Sequence, residues 1–169
     1  MHHLSNLHDL FVHELRDLYS AEQQLISALP KMSQAASTPD LRQAFDHHLD
    51  QTRNHVSRLD KIFTRLGTTS AGDECEAMKG LVKEGETIIS AQGHAVVKDA
   101  ALIGAAQRVE HYEIAAYGTA RTYAEELGYD DMANWLQETL DEEGATNKKL
   151  TKLAEGGWLR SGINEEARS

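Results

Sequence analysis

The chain has 169 residues, a formal net charge of −10, two prolines and one cysteine. That length suits one domain, and 40% hydrophobic residues are enough to build its core. The acidic balance argues against nucleic-acid binding, which depends on Lys and Arg; the lone Cys75 excludes an internal disulfide framework; and 6% aromatic residues with few β-branched runs argue against a sheet protein.

A first helix is expected from about Ser5 to Ala36. Leu7, Phe11, Leu15, Leu18, Leu25 and Leu29 recur at spacings of 3, 4 and 7, the stripe of an amphipathic helix. Pro30 falls late in it and is expected to kink or shorten it. Ser37-Thr38-Pro39-Asp40 reads as a stop followed by a start: Thr38 caps, Pro39 suits the first helical position and Asp40 favours the positive helix end. The second helix then runs from Pro39 to Leu66, with Gly67 as its C-cap. Residues 68–94 read as a long crossover with a minor helix around Met78, Leu81, Val82, Ile88 and Ile89.

The third helix is expected from about Val96 to Leu127, closed by Gly128, and the fourth from about Tyr129 to Ala154, closed by Gly156-Gly157. A loose tail is expected from about residue 158 within a single domain over 1–169. Two helical hairpins joined by one long connection predict an all-α, ferritin-like four-helix bundle. The chain opens without a charged segment leading into an apolar one. It also lacks a run of about 18 apolar residues. The expectation is a cytoplasmic protein with no membrane span.

The informative residues are polar ones on the inward stripes. Glu22 interrupts the first helix, His48 and His55 the second, Glu110 and Glu113 the third, and Glu143 the fourth. A buried carboxylate is costly unless it is paired or metal-bound. Depth along the hairpins tests whether these residues meet. Glu22 lies 16 residues before Thr38, and residue 54, beside His55, lies 16 after it. Glu113 lies 15 residues before Gly128, and Glu143 lies 15 after it. Glu22, His55, Glu113 and Glu143 thus fall in one layer, with Glu110 one turn away on the same face. His48 is about 10 Å along the axis from His55 and fits that layer less well. Carboxylates with an imidazole suit iron or manganese better than structural zinc. Glu22 and Glu110 are the expected bridging carboxylates between two ions.

The segments Glu14 to Leu25, Asp99 to Ile103, Val109 to Gly118 and Glu138 to Glu143 resemble the YciF-like family of bacterial ferritin-like proteins. The likeness runs to about Leu153. It implies a ferritin-like fold, a homodimer and a link to bacterial stress, in a superfamily that carries di-iron or di-manganese sites. The second helix departs from the family pattern. His48-Leu49-Asp50-Gln51-Thr52-Arg53-Asn54-His55 has Gln51 where the family usually has Glu, and His55 where it has Gln. The expected metal ligands are Glu22, Gln51, His55, Glu110, Glu113 and Glu143, with Gln51 weakening the hold on a second ion. The leading expectation is a stress-associated di-iron carboxylate protein with oxidase-like or peroxide-consuming chemistry. The alternative is a non-enzymatic dimeric structural protein that binds metal weakly or not at all. Nothing in the sequence marks a cage-forming surface or a phosphate-binding loop.

Overall fold

The computed structural model describes residues 4–157 and 160–168. Five substantial helices follow one another: α1 (Leu7–Ala35), α2 (Pro39–Leu66), α3 (Glu76–Ser90), α4 (Ala95–Glu126) and α5 (Asp130–Glu155). A two-residue β pair, β1 (Gly156–Gly157) with β2 (Arg160–Ser161), leads into the short α6 (Ile163–Glu166). The hairpins α1/α2 and α4/α5 pack on each other, α1 against α4 and α2 against α5, and α3 lies over α1 and α4. This is the expected bundle with its crossover helix. Among the described residues no helix is long and apolar enough to cross a membrane.

Local chemistry explains the helix ends. The Asn6 side chain accepts from the Asp9 amide (2.9 Å), satisfying one orphan donor at the start of α1. Gly67 adopts φ 65° and closes α2, a conformation that favours glycine. Pro30 does not end α1, which continues through it to Ala35. Thr38 stands at the N-cap position of α2, but its hydroxyl does not cap the helix. It donates to Asp99 Oδ2 instead. Asp99 is fully buried on α4 and also accepts from Ser37 N, Ser37 Oγ and Thr38 N, each at 2.8 Å. One carboxylate thereby ties the α1/α2 turn to the second hairpin.

The segment expected to be loose folds back. Ile163 is buried against the apolar residues of α4 and α5, and α6 packs on both helices. Apolar contact at Ile163 supplies the reason. Trp158 and Leu159 lie outside the described residues.

The apolar interior divides into two clusters. One holds Leu25, Leu29, Leu41, Phe45, Leu102, Ile103 and Leu150. The other holds Phe11, Leu15, Leu18, Leu59, Ile62, Tyr117 and Leu136. On every long helix a polar stretch separates the two: Glu22 on α1, His48, Thr52 and His55 on α2, Glu110 and Glu113 on α4, and Thr139, Glu143 and Thr146 on α5. The bundle places a polar layer between two dry ends.

Candidate metal centre

Every charged member of this layer is almost completely inaccessible. Glu22, His55, Glu113 and Glu143 are 0% exposed, Glu110 1% and His48 2%. Ligand-type atoms gather in two groups, each lying mutually within 4.8 Å. His48, Glu110, Glu113 and Glu143 form one; Glu22, His55 and Glu143 form the other. Glu143 belongs to both. The shared carboxylate is therefore on α5, whereas the sequence pointed to Glu22 and Glu110 as the bridging pair.

The depth reading of Glu22 with His55 matches the geometry. His55 Nδ1 lies 3.3 Å from Glu22 Oε1 and 3.0 Å from Glu143 Oε1. The reading of His48 is corrected. Its Nε2 lies 3.3 Å from Glu110 Oε1 and 3.7 Å from Glu143 Oε2, inside the first group. A single level was too strict a test, because the two groups are stacked along the bundle and His48 serves the one further from His55. Two helical turns return a residue to the same face, and that periodicity was the available signal. Gln51 is half-buried beside His48, with its Oε1 accepting from Thr146 Oγ1 at 3.3 Å.

Two supporting contacts were not legible from the stripe. Tyr117, fully buried on α4, donates to Glu22 Oε1 at 2.5 Å. On the other side of His55, Nε2 lies 2.8 Å from Glu142 Oε2, and Arg58 grips that carboxylate with two N–H groups at 2.7 and 3.0 Å. Glu142 follows the solvent-facing Asp141 and is itself partly exposed, so no buried-polar pattern marks it.

Most close approaches inside the layer lack hydrogen-bond geometry. Glu22 Oε2, Glu110 Oε2, both oxygens of Glu113 and both of Glu143 are buried without a hydrogen-bond partner, as are both ring nitrogens of His48 and Nδ1 of His55. Buried acceptors left this way are costly, and native interiors seldom contain several together. Coordination to cations satisfies such a set in one step. Carboxylates with imidazoles are the donor types that iron and manganese accept. The residues present therefore fit a metal pair, with Glu22 and His55 on one side, His48, Glu110 and Glu113 on the other, and Glu143 between.

The electrostatics of the layer follow from burial and crowding. Burial and the Glu143 charge push the Glu110 and Glu113 carboxyls well above the usual range. Burial also raises Glu22, although His55 opposes it. Glu143 is held low despite its burial, because His55 and His48 face it. Burial depresses His48. Burial also works against a charged His55, but Glu143 and Glu22 outweigh it and hold its imidazole up to about 10.

The comparisons agree with this architecture. A family model described as a domain of unknown function, DUF892, matches residues 6–167. Protein YciF of Escherichia coli K12 is 47% identical over 152 residues, covering 89% of this chain and 92% of that protein. The crystal structure of the E. coli stress protein YciF superposes with a TM-score of 0.86 over 88% of this chain and 94% of that one. YcfI of Rhodopseudomonas palustris, for which a structural role has been suggested, gives 0.86 at 45% identity, covering 89% and 96%. A Xanthomonas campestris protein at 18% identity gives 0.69 over 87% and 89% and shares the fold alone. By its sequence and by the bundle it forms, the chain belongs to the DUF892 family and is a homologue of YciF.

Proposed function

We propose that this chain is a stress-associated, ferritin-like metal protein whose polar layer holds two iron ions, with manganese as the alternative metal. The observation that carries the reading is the set of six buried carboxylate oxygens without partners on Glu22, Glu110, Glu113 and Glu143. When bound, such a pair supplies redox chemistry toward dioxygen or peroxide. The chain's own residues would hold and insulate it. Glu143 would serve both ligand groups, Tyr117 would orient Glu22 through its hydrogen bond, and the two apolar clusters would keep bulk water away. Low local polarity on either side strengthens each electrostatic contact within the layer. The family resemblance adds a homodimer to this proposal, and the single Cys75 fits a reducing cytoplasm.

A second reading has its own observation. Gln51, a neutral residue, engages Thr146 and stands beside His48 where a carboxylate would strengthen the hold on an ion. A structural dimer with weak metal binding follows from giving that contact priority. Elemental mass spectrometry on untagged protein, purified without chelator from iron-replete cells, separates the two. About two metal ions per chain, lost in a Glu110→Ala/Glu143→Ala variant, is the expected result. Metal below about one tenth of an ion per chain in both proteins would leave the structural reading.

A further inference from the structure

We infer that Glu142 and Arg58 are positioning residues that make His55 present Nδ1, not Nε2, to its metal ion. The inference rests on the metal-pair reading above and concerns which atom binds and what holds it there.

The geometry divides the imidazole between two environments. Nδ1 faces the interior, 3.0 Å from Glu143 and 3.3 Å from Glu22, and has no hydrogen-bond partner. Nε2 faces outward to Glu142 Oε2 at 2.8 Å. Arg58 donates to both oxygens of that carboxylate, at 2.7 and 3.0 Å, in the forked arrangement typical of an ionised acceptor. A carboxylate in such a fork has only lone pairs to offer, so Nε2 must donate to it. In the neutral ring that coordination requires, the remaining proton therefore stays on the outer nitrogen and the lone pair points inward. Arg58 is in turn steadied by Thr139 Oγ1 at 3.3 Å and Glu138 Oε2 at 3.2 Å. Partners of this kind fix both the tautomer and the orientation of a ligating histidine, and their loss costs about 10–100-fold in metal affinity. Beside the carboxylates of the layer itself, His48 has only the neutral Gln51 next to it, and among the described residues no Arg-gripped carboxylate faces its ring. A metal position served by His55 would therefore be the better organised of the two.

The test is a titration of the full chain with Mn(II), reading free ion by its EPR signal, for wild type, Glu142→Ala, Glu138→Ala, and Glu142→Ala with added acetate. Glu142→Ala is expected to weaken one of two ions by about 10–100-fold while leaving the other within a few-fold. Acetate, entering the half-exposed gap, is expected to restore most of the loss, which a purely structural role would not show. Glu138→Ala removes one exposed partner of Arg58 without touching His55 and is expected to weaken the same ion less than Glu142→Ala does. Thermal unfolding of the metal-free variants reports their folding. Should Glu142→Ala unfold, Arg58→Gln reads the same contact and is expected to weaken the same ion by several-fold. Two ions bound equally tightly by wild type and Glu142→Ala would overturn the positioning role and leave the metal reading standing. A wild type that binds no Mn(II) and carries no iron would overturn both.

Discussion

His48 and His55 lie two helical turns apart on α2, and their rings meet edge to face with centroids 6.4 Å apart and planes at 63°. Each ring faces a different group of carboxylates, and Glu143 touches both groups. The pair therefore marks two positions along the bundle axis. His48→Ala and His55→Ala are each expected to lower metal content by about one ion per chain, and the double variant to remove nearly all of it. Elemental mass spectrometry on the three proteins checks this. Complete loss from either single variant would mean one cooperative position instead of two.

Tyr117 links the layer to the apolar cluster beside it. Its ring is fully buried, and its hydroxyl is the donor that satisfies Glu22 Oε1. Tyr117→Phe keeps the packing and removes only that donor. The metal-free protein is expected to lose about 1–3 kcal/mol of stability, because Glu22 is left with an unsatisfied buried oxygen. Urea unfolding in the presence of chelator measures the difference.

The metal-free chain is expected to lose stability as pH rises. His55 holds its proton up to about 10 when folded, against 6.5 as its reference value. Its contribution is complete below pH 6.5 and disappears as pH rises through about 10. Glu110 and Glu113 act in the same sense. Their raised carboxyls keep protons that the unfolded chain releases above 4.5, so ionisation favours unfolding over that range. Melting temperatures in chelator should fall steadily between about pH 5 and 10, and bound metal should flatten the slope because cations replace the protons.

Asp99 carries an opposite dependence at acid pH. Burial works to raise its carboxyl, but its bonds to Thr38 and Ser37 outweigh that and hold it below the usual range. Its stabilisation is present above the unfolded value of 3.8 and is lost as pH falls through the lower folded value. Asp99→Ala breaks all four bonds to the α1/α2 turn and is expected to cost about 2–4 kcal/mol at neutral pH, since single bonds to a charged group are worth about 1.5–3 and do not add fully. The gap between wild type and Asp99→Asn, followed by chemical denaturation, should narrow below about pH 4 as the wild-type carboxyl takes up its proton.

The elements of the bundle were legible because periodicity is local. Apolar spacing located the long helices, Gly67 and Gly128 marked two of their ends, and the long connection placed α3. The interrupted stripes named Glu22, His48, His55, Glu110, Glu113 and Glu143, since a polar residue at an inward position is visible from its own helix alone. What depends on a neighbouring helix was not visible. Only the packed bundle decides that Glu143 is the shared carboxylate, that His48 joins the layer, and that Thr38 spends its hydroxyl on Asp99. The same holds for Glu142, partly exposed at the edge of α5 and turned toward His55 by Arg58 of the facing helix. Helical pattern sets which face of a helix is buried. The rotation and offset between helices decide which buried atoms meet, and side-chain packing across all four determines them.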